Sequence, residues 1–302
     1  MKKDLLKLLD YSKEEILEII DLGIKLKKEN EAGITHHILK GKTLGMIFEK
    51  SSTRTRVSFE VGMYQLGGYP LFLSSSDLQL GRGESVKDTA RVLSRYLDGI
   101  MIRTFEQEKV EELAKYANIP IINGLTNEYH PCQILADLMT VKELKGKLEG
   151  LKVAFVGDGN NMANSLIVAC LKLGMKFSIA CPKGYEPLED VLNFAIDYNK
   201  DFVMVRTPQE AVIDADVVIT DVWTSMGQEE ETQKRLDAFK GYMVDENLMS
   251  NANASAMILH CLPAHKGEEI SEETFEKHAD EIFREAENRL HAQKAVMVKL
   301  MA

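Results

Sequence analysis

The sequence predicts an α/β protein of two domains, each a parallel sheet with helices on both faces. Three observations predict it. Short apolar runs alternate with helical stretches, which is the pattern of strands joined by crossover helices. The alternation comes as two series of similar size, separated by a charged, glycine-punctuated segment, residues 142–150. The chain has 302 residues, enough for two domains at roughly 150 residues each.

Taken in order, Leu5, Leu8, Leu9, Ile16, Ile19 and Ile20 recur at helical spacing, and Ser12 followed by Glu15 forms a capping box. The chain is therefore expected to open helical. Thr43 to Phe48, Tyr69 to Leu73, Gly99 to Ile102 and Ile119 to Ile122 read as the strands of the first sheet. A second series runs through Leu151 to Val156, Lys176 to Ala180, Phe202 to Val205, Val217 to Thr220 and Met257 to His260. These runs place a first domain at 1–140 and a second at 141–283. The helical stretch 284–302 has no strand after it and is expected to pack back on the first domain.

Composition narrows the function classes. Hydrophobic residues at 45% and charged residues at 28% are ordinary for a globular chain. The net charge of −10 leaves no general attraction for nucleic acid or an anionic membrane, so an anionic ligand needs a local cationic cluster. Cys132, Cys170, Cys181 and Cys261 show neither paired nor metal-ligand spacing, which points to reduced thiols, no metal and a cytoplasmic location. Charges at Asp4, Lys7, Asp10 and Lys13 break any signal-peptide core, and no run of about 18 apolar residues predicts a membrane span.

Chemistry gathers where strands end. Ser51-Ser52-Thr53-Arg54-Thr55-Arg56 leaves a strand and opens a helix, and Ser or Thr there is a good cap. Two arginines in a first turn oppose the helix dipole unless an anion sits beside them. Backbone N–H groups, hydroxyls and guanidinium converging on one helix end make a phosphate site. His130-Pro131-Cys132-Gln133 opens another helix, and the positive end of a helix favours a neutral imidazole. Arg103 ends a strand, and Gln79 lies in a polar loop after one; ligands of open α/β sheets collect at such ends.

In the second series Gly157-Asp158-Gly159-Asn160-Asn161-Met162 invites a dinucleotide-binding reading. Met162 replaces the third glycine, and the next strand ends without an acidic residue for a ribose. Asn161 can instead present its amide to an amino-acid head group. Asp221-Val222-Trp223-Thr224-Ser225-Met226-Gly227 leaves one strand, and His260-Cys261-Leu262-Pro263 ends the last.

Ser52 to Arg56, His130 to Gln133, Asp221 to Gly227 and His260 to Pro263, in this order along the whole chain, resemble the ornithine carbamoyltransferases. The resemblance implies transfer of the carbamoyl group of carbamoyl phosphate to the δ-amine of L-ornithine, without cofactor or metal, in a cleft between the domains. It implies that Ser52, Thr53, Arg54, Thr55 and Gln79 hold carbamoyl phosphate. Arg103, His130 and Thr55 meet its carbonyl oxygen, Gln133 its amide, and Arg289 completes the pocket. Asn161, Asp221, Ser225 and Met226 hold ornithine, and Cys261 with Leu262 lies beside the reacting amine. It further implies Arg103, His130, Asp221 and Cys261 as the catalytic set, a cis Leu262–Pro263 peptide, and a homotrimer or a multiple of one. The alternatives are a carbamoyltransferase using another amine, such as putrescine, and a ligand-binding relative without turnover. With the phosphate-side residues in one domain and the amine-side residues in the other, binding is expected to be ordered, carbamoyl phosphate first, with the 221–231 loop closing last.

Overall fold

Apolar runs too short for helices form parallel strands in a computed structural model of the chain, which describes residues 2–75, 78, 83–224 and 229–302. Gln79, Ser225 and Met226 lie outside the described residues. The chain divides into two compact units, Met1–Met139 with Glu287–Ala302, and Thr140–Ala286.

In the first unit, α1 (Lys13–Glu31) begins on the expected capping box: Ser12 Oγ accepts from the Glu15 amide at 3.2 Å, and Glu15 Oε2 accepts from the Ser12 amide at 2.9 Å. There follow β1 (Thr43–Phe48), α2 (Thr53–Gln65), β2 (Tyr69–Ser74), α3 (Val86–Leu93), β3 (Gly99–Arg103), α4 (Gln107–Tyr116), β4 (Ile121–Leu125) and α5 (Pro131–Lys145). The sheet order is β2-β1-β3-β4, all parallel, with Leu44 beside Pro70 on one side and Gly99 on the other. One face buries Ile47, Ile100 and Ile102 against Ala90 of α3 and Val110 and Leu113 of α4. On the other face, a Cβ on Gly99 would lie 3.0 Å from Met301 Sδ, so the C-terminal helix packs where the strand carries no side chain.

Two expectations about this unit are corrected. The chain does not open as a helix: the Leu5 amide donates to Ile121 O at 2.9 Å and Leu5 O accepts from the Asn123 amide at 2.8 Å. Leu5 thereby satisfies the outer edge of β4, and only Leu8–Asp10 coil, as a 3-10 turn. The strand expected from Ile119 starts at Ile121, because Pro120 has no amide to give the ladder. It runs on to Leu125 because the buried Asn123 amide is satisfied by Leu6 O at 2.8 Å and Gln107 Oε1 at 3.1 Å.

The second unit contains β5 (Lys152–Val156), α6 (Asn161–Lys172), β6 (Lys176–Ala180), α7 (Glu189–Ile196), β7 (Phe202–Val205), α8 (Pro208–Val212), β8 (Val217–Thr220), α9 (Thr232–Ala238), α10 (Glu246–Met249), β9 (Met257–His260), α11 (Glu272–Lys277) and the start of α12 (Ala279–Met301). Its parallel sheet has the order β7-β6-β5-β8-β9. Ala154, Val156, Val218 and Ile258 pack with Val212, Phe239, Leu248, Phe275 and Ile282 in one core. The helix expected from Arg284 begins earlier, at Ala279, and this puts Glu281 and Glu285 one turn apart on a single face. Their carboxylates accept from the outward amides of β9, Ile258 N to Glu281 and His260 N to Glu285, each at 2.8 Å. The edge of the sheet is thus finished by side chains rather than by a further strand. Among the described residues no helix is long and apolar enough to cross a membrane.

Candidate active site

In an open parallel sheet, ligands gather at the carboxyl ends of the strands where the winding reverses. In the first sheet the chain passes from β1 outward to β2 and then back to β3 and β4, so the reversal lies between β1 and β3. In the second it lies between β5 and β8, with β6 and β7 on one side and β9 on the other. Ser52 to Arg56 and Asp221 follow strands that flank these reversals, β1 and β8, whereas His130 to Gln133 and Cys261 follow the edge strands β4 and β9.

At the end of β1, Ser52 caps α2: its Oγ accepts from the Thr55 amide at 3.2 Å. Thr53 and Arg54 follow in the first turn, Thr53 exposed and Arg54 half-buried. The Thr55 hydroxyl is where the cations meet. Arg103 Nη1, from the end of β3, lies 3.4 Å from Thr55 Oγ1, and Arg289 Nη2, from α12, donates to it at 3.2 Å. Arg289 also donates through Nη1 to Gln133 Oε1 at 2.6 Å and through Nε to Gln293 Oε1 at 3.1 Å. Gln133 in turn donates to Asp137 Oδ1 at 2.8 Å. Arg103 and Arg289 are almost fully buried, so water screens their charges little and an anion would be held strongly.

His130 precedes Pro131, the first residue of α5. Burial drives its pKa well below the usual imidazole value, and Arg289, Arg103 and Arg54 add to the effect in that order. All three guanidinium groups therefore bear on one ring, and with burial, the larger cause, they favour its neutral form. Cys132, one residue inside the helix, is pushed up to about 12 by burial, with Arg289 opposing, and stays a thiol.

In the second unit Asp221 follows β8 and Cys261 follows β9. Asp221 Oδ1 accepts from the Val222 amide at 2.8 Å and from Cys261 Sγ at 3.1 Å, and Oδ2 accepts from Asn160 Nδ2 at 2.8 Å. Asn161 is the first residue of α6, half-buried beside its cap Asn160. Leu262 stands at φ 59, and the Leu262–Pro263 peptide is cis. The glycine turn after β5 serves the fold itself. Gly159 N donates to Tyr185 O at 2.9 Å, and a Cβ on Gly159 would meet the backbone of Glu186 and Pro187 at 2.3 Å. The chain's own segment 185–187 lies against the face of Gly159, so this glycine serves packing within the chain.

Asn160, Arg235 and the pair His260 and Glu269 join the site without any role having been expected of them from sequence. The fully buried His260 takes the Leu262 amide on Nδ1 at 2.9 Å, so its proton sits on Nε2, which faces Glu269 Oε1 at 2.9 Å. Glu269 Oε1 also accepts the His265 amide at 2.6 Å, which fixes the turn carrying Cys261 and Leu262. Arg235 donates to Asp158 Oδ2 at 2.6 Å, Trp223 O at 2.9 Å and Glu231 Oε2 at 3.2 Å, tying together the two ends of the 221–231 segment. His265, Glu268 and Glu269 bring potential metal-ligand atoms within 4.8 Å of one another. Glu269 is already committed to holding the turn. A polar residue at or just after a strand end is the sequence signal for His260 and Asn160, and nothing local marks Arg235 or Glu269.

Fold and site together define a doubly wound α/β protein with a cluster of buried arginines at the strand ends of one sheet and a carboxylate–thiol pair at those of the other. Profiles described as "Aspartate/ornithine carbamoyltransferase, carbamoyl-P binding domain" and "Aspartate/ornithine carbamoyltransferase, Asp/Orn binding domain" match residues 3–143 and 149–300. The chain belongs to the aspartate/ornithine carbamoyltransferase family. It is similar to an ornithine carbamoyltransferase of Anoxybacillus flavithermus, 57% identical over 99% of this chain and 96% of that one. The corresponding protein of Geobacter metallireducens is 55% identical over the whole of both chains. Among solved structures, ornithine carbamoyltransferase from Pyrococcus furiosus has a TM-score of 0.94 at 50% identity, covering 99% of this chain and 97% of that one. The anabolic ornithine carbamoyltransferase of Campylobacter jejuni has a TM-score of 0.93 at 48% identity, covering 99% and 98%.

Proposed function

We propose that this chain transfers the carbamoyl group of carbamoyl phosphate to the δ-amine of L-ornithine, giving L-citrulline and phosphate. The meeting of Arg103 and Arg289 at the Thr55 hydroxyl, beside a neutral His130, carries the reading. Phosphate is held at the start of α2 by Ser52, Thr53, Arg54 and Thr55, with Gln79. Arg103, Thr55 and His130 donate to the carbonyl oxygen, and a neutral imidazole has one N–H for this purpose. Gln133, Arg289 and Leu262 complete the donor site. Asn161, Asp221, Ser225 and Met226 hold the amino acid.

The chemistry asks for placement and charge. The amine, with a lysine-like pKa near 10.4, first loses a proton. Its nitrogen lone pair attacks the carbonyl carbon, negative charge collects on the oxygen facing Arg103 and His130, and the carbon–oxygen bond to phosphate then breaks. Phosphate leaves with that electron pair and can accept one of the two protons on the attacking nitrogen, the other staying in the product N–H. Asp221 and Cys261 orient the amine. Losing one donor to such an oxyanion costs roughly a hundred- to a thousandfold in rate.

We further propose a homotrimer or a multiple of one, working in the cytoplasm. Val57, Val61 and Tyr64 recur on one face of α2 with exposures of 50%, 37% and 77%, and Tyr69, at 63%, lies on the edge strand β2. Exposed apolar side chains recurring on one helix face support an association surface there. Sedimentation should give a trimer, and Tyr64→Glu should dissociate it.

Colorimetric citrulline formation tests the activity, with ornithine, putrescine and aspartate compared at saturating carbamoyl phosphate. Turnover on ornithine alone is expected. Preference for putrescine would replace the acceptor, and no turnover on any amine would leave a binding protein.

A further inference from the structure

The side chain of Asn160 does two things at once. Its Oδ1 accepts from the Met162 amide at 3.0 Å and the Ala163 amide at 3.3 Å, capping α6. Its Nδ2 donates to Asp221 Oδ2 at 2.8 Å, across 61 residues of sequence. The cap settles which way the amide faces: oxygen must meet the helix amides, so nitrogen must meet the carboxylate. Asp221 is therefore fixed by donors from three strand ends. Val222 follows Asp221 beyond β8, Cys261 stands beyond β9, and Asn160 stands beyond β5.

A carboxylate offers about four lone-pair positions. Two on Oδ1 are taken by the Val222 amide and the Cys261 thiol, and one on Oδ2 by Asn160. An incoming N–H donor is then confined to the remaining position on Oδ2. From this we infer that Asn160 is a positioning residue for the amine acceptor: it presents one lone pair of Asp221 in one direction. The inference rests on the reading that Asp221 meets the ornithine amine.

Substitutions that keep the cap separate this role from a structural one. Asn, Asp and Ser cap helices about equally well, so a residue that only started α6 would tolerate both exchanges. Asn160→Ser keeps a cap and loses the donor to Asp221, leaving the carboxylate to turn. Asn160→Asp keeps the shape and the cap but sets a second carboxylate against the first.

Steady-state kinetics should show kcat/KM for ornithine lowered about tenfold to a hundredfold in Asn160→Ser, the range for a lost bond to a charged group, and lowered further in Asn160→Asp. KM for carbamoyl phosphate and the thermal midpoint should stay near those of the parent protein. Activities that follow cap strength, with Asp equal to Asn, would overturn the inference. So would equal rises in both KM values. Asp221→Asn serves as the companion measurement: full ornithine turnover in that variant would overturn the reading of Asp221 itself, whatever the Asn160 variants do. If Asp221→Asn is inactive while both Asn160 variants match the parent protein, only the inference about Asn160 fails.

Discussion

Replacing Arg289 by lysine keeps the charge and removes the fork. The guanidinium, 3% exposed, donates to Gln133 at 2.6 Å, Thr55 at 3.2 Å and Gln293 at 3.1 Å. A lysine ammonium is one point on a flexible stem and reaches one of these acceptors at a time. Two bonds to a charged donor are lost, at the low end about 1.5 kcal/mol each, or about 3 kcal/mol together. At about 1.4 kcal/mol per factor of ten, this is roughly a hundredfold in the fraction of the protein that holds the cluster in its observed arrangement, and an anion that needs that arrangement binds correspondingly more weakly. The assay is citrulline formation at saturating ornithine over a range of carbamoyl phosphate, on Arg289→Lys shown by circular dichroism to be folded. kcat/KM for carbamoyl phosphate should fall about a hundredfold, while KM for ornithine changes little. A folded variant within threefold of the parent protein in kcat/KM for carbamoyl phosphate would refute Arg289 as part of the anion cluster.

Cys261→Ala should lower kcat about tenfold through loss of the thiol bond to Asp221, and Cys261→Ser, which can donate the same bond, should lose less; equal losses would show that the bond is not what matters. Glu269→Ala leaves the His260 Nε2 proton and the His265 amide without their acceptor and should cost about 2–4 kcal/mol in urea unfolding, with an unchanged m value. His291 is lowered to about 4, chiefly by burial, with Lys294 and Lys27 adding. As pH falls below the ordinary imidazole value near 6.5, the unfolded chain takes up a proton that the folded chain refuses, so stability drops until about 4. His291→Gln should flatten the pH dependence of the urea-unfolding free energy over that window by about 1.4 kcal/mol per pH unit, and an unchanged slope would contradict the assignment.

What the sequence made legible was whatever is encoded locally. Strands buried on both faces read as unbroken apolar runs, and Thr43–Phe48, Lys176–Ala180 and Met257–His260 stand in the structure where those runs lie. Ser12 and Ser52 announce helix starts by their type and spacing. The first misreading is non-local: Leu5 looks helical by period, and only pairing with a strand more than a hundred residues away explains its extended backbone. Asn160 escaped for the same reason. Nothing near it in sequence says that its nitrogen meets Asp221, and its neighbour Asn161 looked equally suited to a ligand. Glu269 reads as one acid in a charged stretch until the turn brings it under His260.

The carboxylates of Glu281 and Glu285 on the outer amides of β9 also bear on synthesis of the chain. Until the ribosome has released the residues through Glu285, Ile258 and His260 present open amides on a bare sheet margin, a template for the strands of neighbouring nascent chains. Release of that last helix extinguishes the template. A stop codon anywhere between residues 261 and 280 would therefore yield a polypeptide prone to aggregation, although every strand of the second sheet is present.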